Sequence, residues 1–111
     1  MIYAHLAEFA LTLPGVTENV RKTEIDLFRD GRHMARLRHK GMAIAFRLTW
    51  DDWEAWLGQD PEVFFVTPHY EGYPYVLAWI EKLADSDGKA LIRAAWEAAP
   101  MEIPLRGNPK V

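Results

Sequence analysis

The stretch from Ile25 to Leu48, IDLFRDGRHMARLRHKGMAIAFRL, decides the fold. Apolar and polar residues alternate along it in short runs, which is the spacing of strands whose two faces meet different surroundings. Ile25 to Arg29 reads as one strand. Asp30-Gly31 follows, a pair that favours the positive φ angles of a two-residue hairpin. Arg32 to Arg38 reads as the second strand, with Ala35 and Leu37 on one face and Met34, Arg36 and Arg38 on the other. His39-Lys40-Gly41 is a second turn. Met42 to Leu48 is a third strand, expected to turn Met42, Ile44, Phe46 and Leu48 to the core and Ala43, Ala45 and Arg47 away from it. Three strands joined by two short turns make an antiparallel meander.

Helices flank the meander. Ile2, Leu6, Phe9 and Leu13 recur at helical spacing and predict an amphipathic helix over 2–13, stopped by Pro14-Gly15. Residues 19–24 give a weak signal for an extra strand. Thr49 is placed to cap a short helix, with Asp51 and Asp52 in its first turn, where carboxylates favour the helix dipole. Gly58 and Asp60-Pro61 end that helix. Residues 62–66 read as a short strand, Thr67 to Pro74 as a loop, and Tyr75 to Ile80 as a buried strand. Ser86 is expected to cap a last helix, with Leu91, Ile92, Ala95, Trp96 and Ala99 as its apolar stripe. The tail from Met101 to Val111 holds Pro104, Gly107 and Pro109 and is expected to be poorly ordered. The fold class is therefore α+β: an antiparallel sheet packed by N- and C-terminal helices, in one domain over 1–111.

Composition narrows the chemistry. The 111 residues include no cysteine, which excludes a disulfide framework, a thiolate metal site and a Cys nucleophile, and fits a cytoplasmic location. The N-terminal stretch lacks a basic region and carries His5 and Glu8, unlike a secretory signal. No apolar run reaches the ~20 residues that span a bilayer, so no membrane partner is expected. His5, His33, His39 and His69 fall on four different predicted elements with no HxH or HxxxH pair, so neither a metal nor another cofactor is expected. There is no GxSxG, no GxGxxG and no phosphate loop. His69 and Glu71 are the one pair that resembles an acid–base couple. They lack a nucleophile and an oxyanion partner, and loop packing accounts for them more simply. The chain therefore reads as a non-enzymatic binding domain, and a monomer is the expected state.

Charge is unevenly spread. The net charge is −3, yet residues 21–47 hold eight basic and three acidic residues, a local +5. Arg29, Arg32, Arg36, Arg38, Lys40 and Arg47 are the candidate phosphate contacts for double-stranded DNA, because the guanidinium fork pairs with phosphate oxygens. A meander that solvates its outer face with arginines would give the same count. A second candidate is a small-molecule or enzymatic site under the loop, with His69, Tyr70, Glu71, Tyr73 and Tyr75 as its pocket. A third is a protein-interaction patch around Trp50 and Trp53.

Four segments carry a family resemblance: LPGVTE (Leu13 to Glu18), FRDGRHMARL (Phe28 to Leu37), DPEVFFVTPHYEGYPYV (Asp60 to Val76), and Ala95-Trp96 in the last helix. In these the chain resembles the MmcQ/YjbR-like proteins, a domain of unknown function. The resemblance implies a CyaY-like, frataxin-related architecture and a proposed "double-wing" arrangement, in which loops of the sheet flank a DNA duplex. The two wings would be the turns at Asp30-Gly31 and His39-Lys40-Gly41. The acidic ridge with which frataxin-like proteins hold iron does not carry over, since the first helix offers only Glu8. Asn19 to Lys22 is polar and basic where relatives tend to be more apolar, which extends the positive segment.

Overall fold

The computed structural model describes residues 1–107. It is an α+β domain: α1 (Tyr3–Ala10), β1 (Val16–Val20), β2 (Ile25–Arg29), β3 (Arg32–Arg38), β4 (Ala43–Arg47), α2 (Trp50–Leu57), β5 (Phe64–Phe65), β6 (Tyr75–Trp79) and α3 (Asp85–Ala98). The six strands form one antiparallel sheet in the order β1-β2-β3-β4-β6-β5. No helix among the described residues is long and apolar enough to cross a membrane.

The meander forms as its turns direct. Asp30 and Gly31 take φ of 50° and 81°, the two left-handed positions of a hairpin whose twist matches its strands. At the other end of β3, His39, Lys40 and Gly41 are all left-handed. The weakly signalled first strand lies earlier than expected, at Val16–Val20, and a turn closed by Arg21 N–H to the Glu24 carbonyl joins it to β2.

One face of the sheet carries the main core. Leu6, Ala10 and Leu13 from the α1 region meet Leu91, Ile92, Ala95 and Ala99 from the α3 region over Leu27, Ile44, Phe46, Val76 and Ala78. Each large apolar side chain buried here contributes roughly 1.5–3 kcal/mol. The α1 stripe is narrower than its spacing suggested: Ile2 precedes the helix and is exposed, and Phe9 is half-buried. Met42 is also exposed, because it closes the turn after Gly41 before β4 begins. Thr49 caps α2 by accepting from Asp52 N–H at 3.3 Å. Ser86 does not cap α3; the cap position falls two residues earlier, at Ala84, with no side-chain cap.

A β-bulge reshapes β3. Leu27 pairs with Ala35, but Phe28 pairs with His33, so Met34 is the extra residue. Met34 and Ala35 are consequently both buried in the core, contrary to strict alternation. His33 is thereby shifted onto the face that carries Arg36 and Arg38.

The tail was expected to be loose from Met101. Up to Gly107 it instead runs across α2: Trp50 Nε1–H donates to the Pro104 carbonyl (2.7 Å), Arg106 N–H donates to Gly72 (2.9 Å), and the Arg106 guanidinium lies 4.4 Å over Trp50. Proline and glycine exclude helix and strand there without excluding contacts. The last four residues of the expected tail lie outside those described.

Candidate functional site

The second face of the sheet carries no α-helix among the described residues. Period-two alternation, corrected by the bulge, turns Asp26 and Phe28 of β2, His33, Arg36 and Arg38 of β3, Ala45 of β4 and Tyr75 and Leu77 of β6 toward it. The 67–73 loop folds back over part of this face. Tyr70, at the end of a short 3-10 turn after Pro68, buries its ring against Ala45 and Leu77. Its ring packs 4.9 Å from that of Tyr75, and its hydroxyl accepts from Arg38 Nη1 at 3.2 Å.

Between loop and sheet lies a pocket of about 450 Å³ lined by Phe28, His33, Arg36, His69, Tyr70, Tyr73 and Tyr75. The volume falls within the ~300–1,000 Å³ of small-molecule sites. A second hollow, beside Met42 and Trp79, is smaller at about 200 Å³.

Asp26 organises the polar floor. It is the one buried charged side chain among the described residues, and it accepts from Arg36 Nε (2.6 Å), His33 Nε2 (2.7 Å) and Arg21 Nη2 (2.7 Å). Burial alone would raise the carboxyl pKa; the bonds from Arg36, His33 and Arg21 outweigh it and hold the value below the usual range. Burial pushes the imidazole of His33 down, and its bond to Asp26 only partly opposes this. His33 is therefore neutral at pH 7. An ionised carboxylate can only accept, so the proton sits on Nε2 and Nδ1 is left as an acceptor. The Tyr75 hydroxyl, 2.8 Å away, donates to it. Burial raises Tyr75 to about 12, so that hydroxyl keeps its proton.

The six basic residues expected on the meander do not share one surface. Arg29 lies on the helix side, 3.8 Å over Trp96, and donates to the Trp96 carbonyl at 2.8 Å. Arg47 donates to the carbonyls of Ala98 and Met101 at 2.8 and 2.7 Å. Arg36 binds Asp26, and Arg38 reaches Tyr70 and, at 3.7 Å, Glu24. Arg32 and Lys40 are exposed, at opposite ends of β3.

Of the five residues expected under the loop, His69, Tyr70, Tyr73 and Tyr75 line the pocket, and Glu71 is exposed and outside the lining. Sequence spacing did not assign Phe28, His33 and Arg36 to this site. The one available signal was Asp26, an acid inside the apolar run Ile25-Asp26-Leu27-Phe28. Trp50 and Trp53 of α2 are partly covered, and their indole N–H groups are taken by the Pro104 and Tyr75 carbonyls respectively.

No family model matches the chain. The chain is similar to an uncharacterised protein of Mycobacterium bovis, at 40% identity over 42 residues, and equally to uncharacterised proteins of two Mycobacterium tuberculosis strains. Each match covers 38% of this chain and 33% of the relative, so it spans about a third of the length of these curated proteins.

Proposed function

We propose that this chain is a non-enzymatic domain that binds a small molecule in the pocket between the open sheet face and the 67–73 loop. The supporting observation is a concave, aromatic-lined volume of about 450 Å³ into which a fixed, charged polar group, Arg36, also faces. Apolar walls with a few oriented polar groups are what small-ligand sites share. Ligand-observed NMR against a library of flat fragments tests it. Hits are expected with the wild-type protein, and they should be lost when Phe28→Trp fills the pocket. Hits that survive Phe28→Trp unchanged would count against it.

A second reading keeps DNA as the partner, and membership of the MmcQ/YjbR-like proteins remains a proposal with it. What favours it is that exposed Arg32 opens a seven-residue strand and exposed Lys40 lies in the turn after its end, a strand about 20 Å long at ~3.3 Å per residue. That arrangement suits two tips touching separate phosphates. With two such cations, log affinity should fall with log salt at a slope of only about −2. Fluorescence anisotropy with duplex DNA decides it: binding abolished by Arg32→Ala with Lys40→Ala supports the reading, and no binding at low salt removes it.

A further inference from the structure

We infer that the pocket takes a small, flat aromatic carboxylate that also carries an O–H or N–H donor, for which Arg36 supplies the anion contact and Tyr75 the acceptor. This rests on the proposed small-molecule reading and narrows it to a ligand class.

Four observations converge. First, among the described residues the lining contains one permanent cation, Arg36, and no carboxylate. Arg36 Nε is held by Asp26, which fixes the guanidinium plane, and its terminal nitrogens make no hydrogen bond among the described residues. Two parallel N–H groups at the end of a fixed guanidinium match the two oxygens of a carboxylate. Second, the charge balances for a monoanion: Arg21, Arg36 and Arg38 set three positive charges against the two negative ones of Asp26 and Glu24. A phosphate monoester would bring up to two negative charges against that single excess cation and leave part of its charge uncompensated on entering the site.

Third, the Tyr75 hydroxyl donates its hydrogen bond to His33 Nδ1, because Asp26 holds the imidazole proton on the other nitrogen. The Tyr75 oxygen is then left with lone pairs only, and a ligand satisfies it by donating. The Asp26–His33–Tyr75 chain is thus a device that sets the polarity of one wall of the pocket. Fourth, the remaining walls are rings: Tyr70 and Tyr75 at 4.9 Å, and Phe28 edge-on to His33 at 5.4 Å. Such walls favour a flat guest that can stack or meet ring edges. A volume of about 450 Å³ holds one or two fused rings with a carboxylate, at the small end of such sites.

The test is isothermal titration calorimetry on the whole chain with 4-hydroxybenzoate, benzoate and the neutral 4-hydroxybenzamide. The expected order is 4-hydroxybenzoate tightest, with the amide weaker by about tenfold or more, the loss of one charge-assisted contact. Benzoate should fall between them. Tyr75→Phe should erase the advantage of 4-hydroxybenzoate over benzoate while leaving benzoate binding intact. Arg36→Gln should erase the advantage of the acid over the amide. Circular dichroism melts show whether each variant folds, and the comparison of the three ligands on the wild-type protein stands without any variant. Equal affinity of acid and amide overturns the inference and leaves the pocket as a binding site. Binding of none of the three, together with no fragment hits, overturns the small-molecule reading as well. An advantage of 4-hydroxybenzoate that persists in Tyr75→Phe overturns the role given to Tyr75.

Discussion

The imidazole of His33 stands 2.7 Å from the carboxylate of Asp26, on a strand neighbour brought into line by one extra residue, Met34. Without the bulge, His33 would face the helices, and Asp26 would lose one of three donors. Asp26→Asn keeps the shape and removes the charge. It leaves Arg21 and Arg36 with Glu24 as their one shared anion, 2.9 and 4.0 Å away, and offers Arg36 an amide that can present the wrong atom. The expected cost is about 2–4 kcal/mol, since both arginines keep some solvent. Urea unfolding measures it, and a loss below about 1 kcal/mol would mean that the cluster is not a stability determinant.

Stability should fall on acidification in two steps. The folded pKa of His33 is depressed, so the unfolded chain takes up the proton first. Its contribution is complete above 6.5 and is lost as pH falls from there through the lower folded value. The folded pKa of Asp26 is likewise depressed, so its contribution holds above 3.8 and is lost below it. Urea midpoints measured from pH 8 downward should decline in the first window for the wild type and stay flat there for His33→Gln. An NMR titration that places His33 above 6.5 would reverse the sign and refute the assignment of its proton.

Arg29 acts on the other side of the sheet. It stacks on Trp96 and bonds the Trp96 carbonyl near the end of α3. Arg29→Ala is expected to cost about 1–2 kcal/mol and to leave ligand affinity at the pocket unchanged. Thermal melts and titrations on the same variant check both halves. A variant that lost affinity but not stability would place Arg29 in a binding surface after all.

Tyr70 holds the loop to the sheet. Tyr70→Ala removes a buried ring from between Ala45, Leu77 and Tyr75, at about 2–4 kcal/mol. Tyr70→Phe loses only the bond from Arg38 and should cost under about 1 kcal/mol. Hydrogen exchange should accelerate at Glu71 and Tyr73 in the first variant and not in the second, because local opening follows lost packing.

Much of this was legible from residue spacing. The alternation through β2 to β4, the hairpin at Asp30-Gly31 and the capping Thr49 are local signals, and each acts locally in the structure. What was not legible depends on neighbours distant in sequence. Nothing at Met34 marks it as a bulge, because the bulge exists only against β2. Met42 continues an apolar alternation but is claimed by the turn. The loop tyrosines announced a pocket, yet its floor comes from Asp26, Phe28, His33 and Arg36, about forty residues away, through the register of β4 and β6. The arginines counted as one positive segment part company because alternate residues on a strand face opposite ways.

The proposed binding site is the open sheet face under the 67–73 loop. A ¹H–¹⁵N chemical-shift map during titration with 4-hydroxybenzoate tests it. The expected result is saturable shifts concentrated at Phe28, His33, Arg36 and Tyr70 to Tyr75, with Arg32 and Lys40 unmoved. Shifts centred on those two tips, or no saturable shifts at the pocket with this ligand or with any fragment, would contradict it.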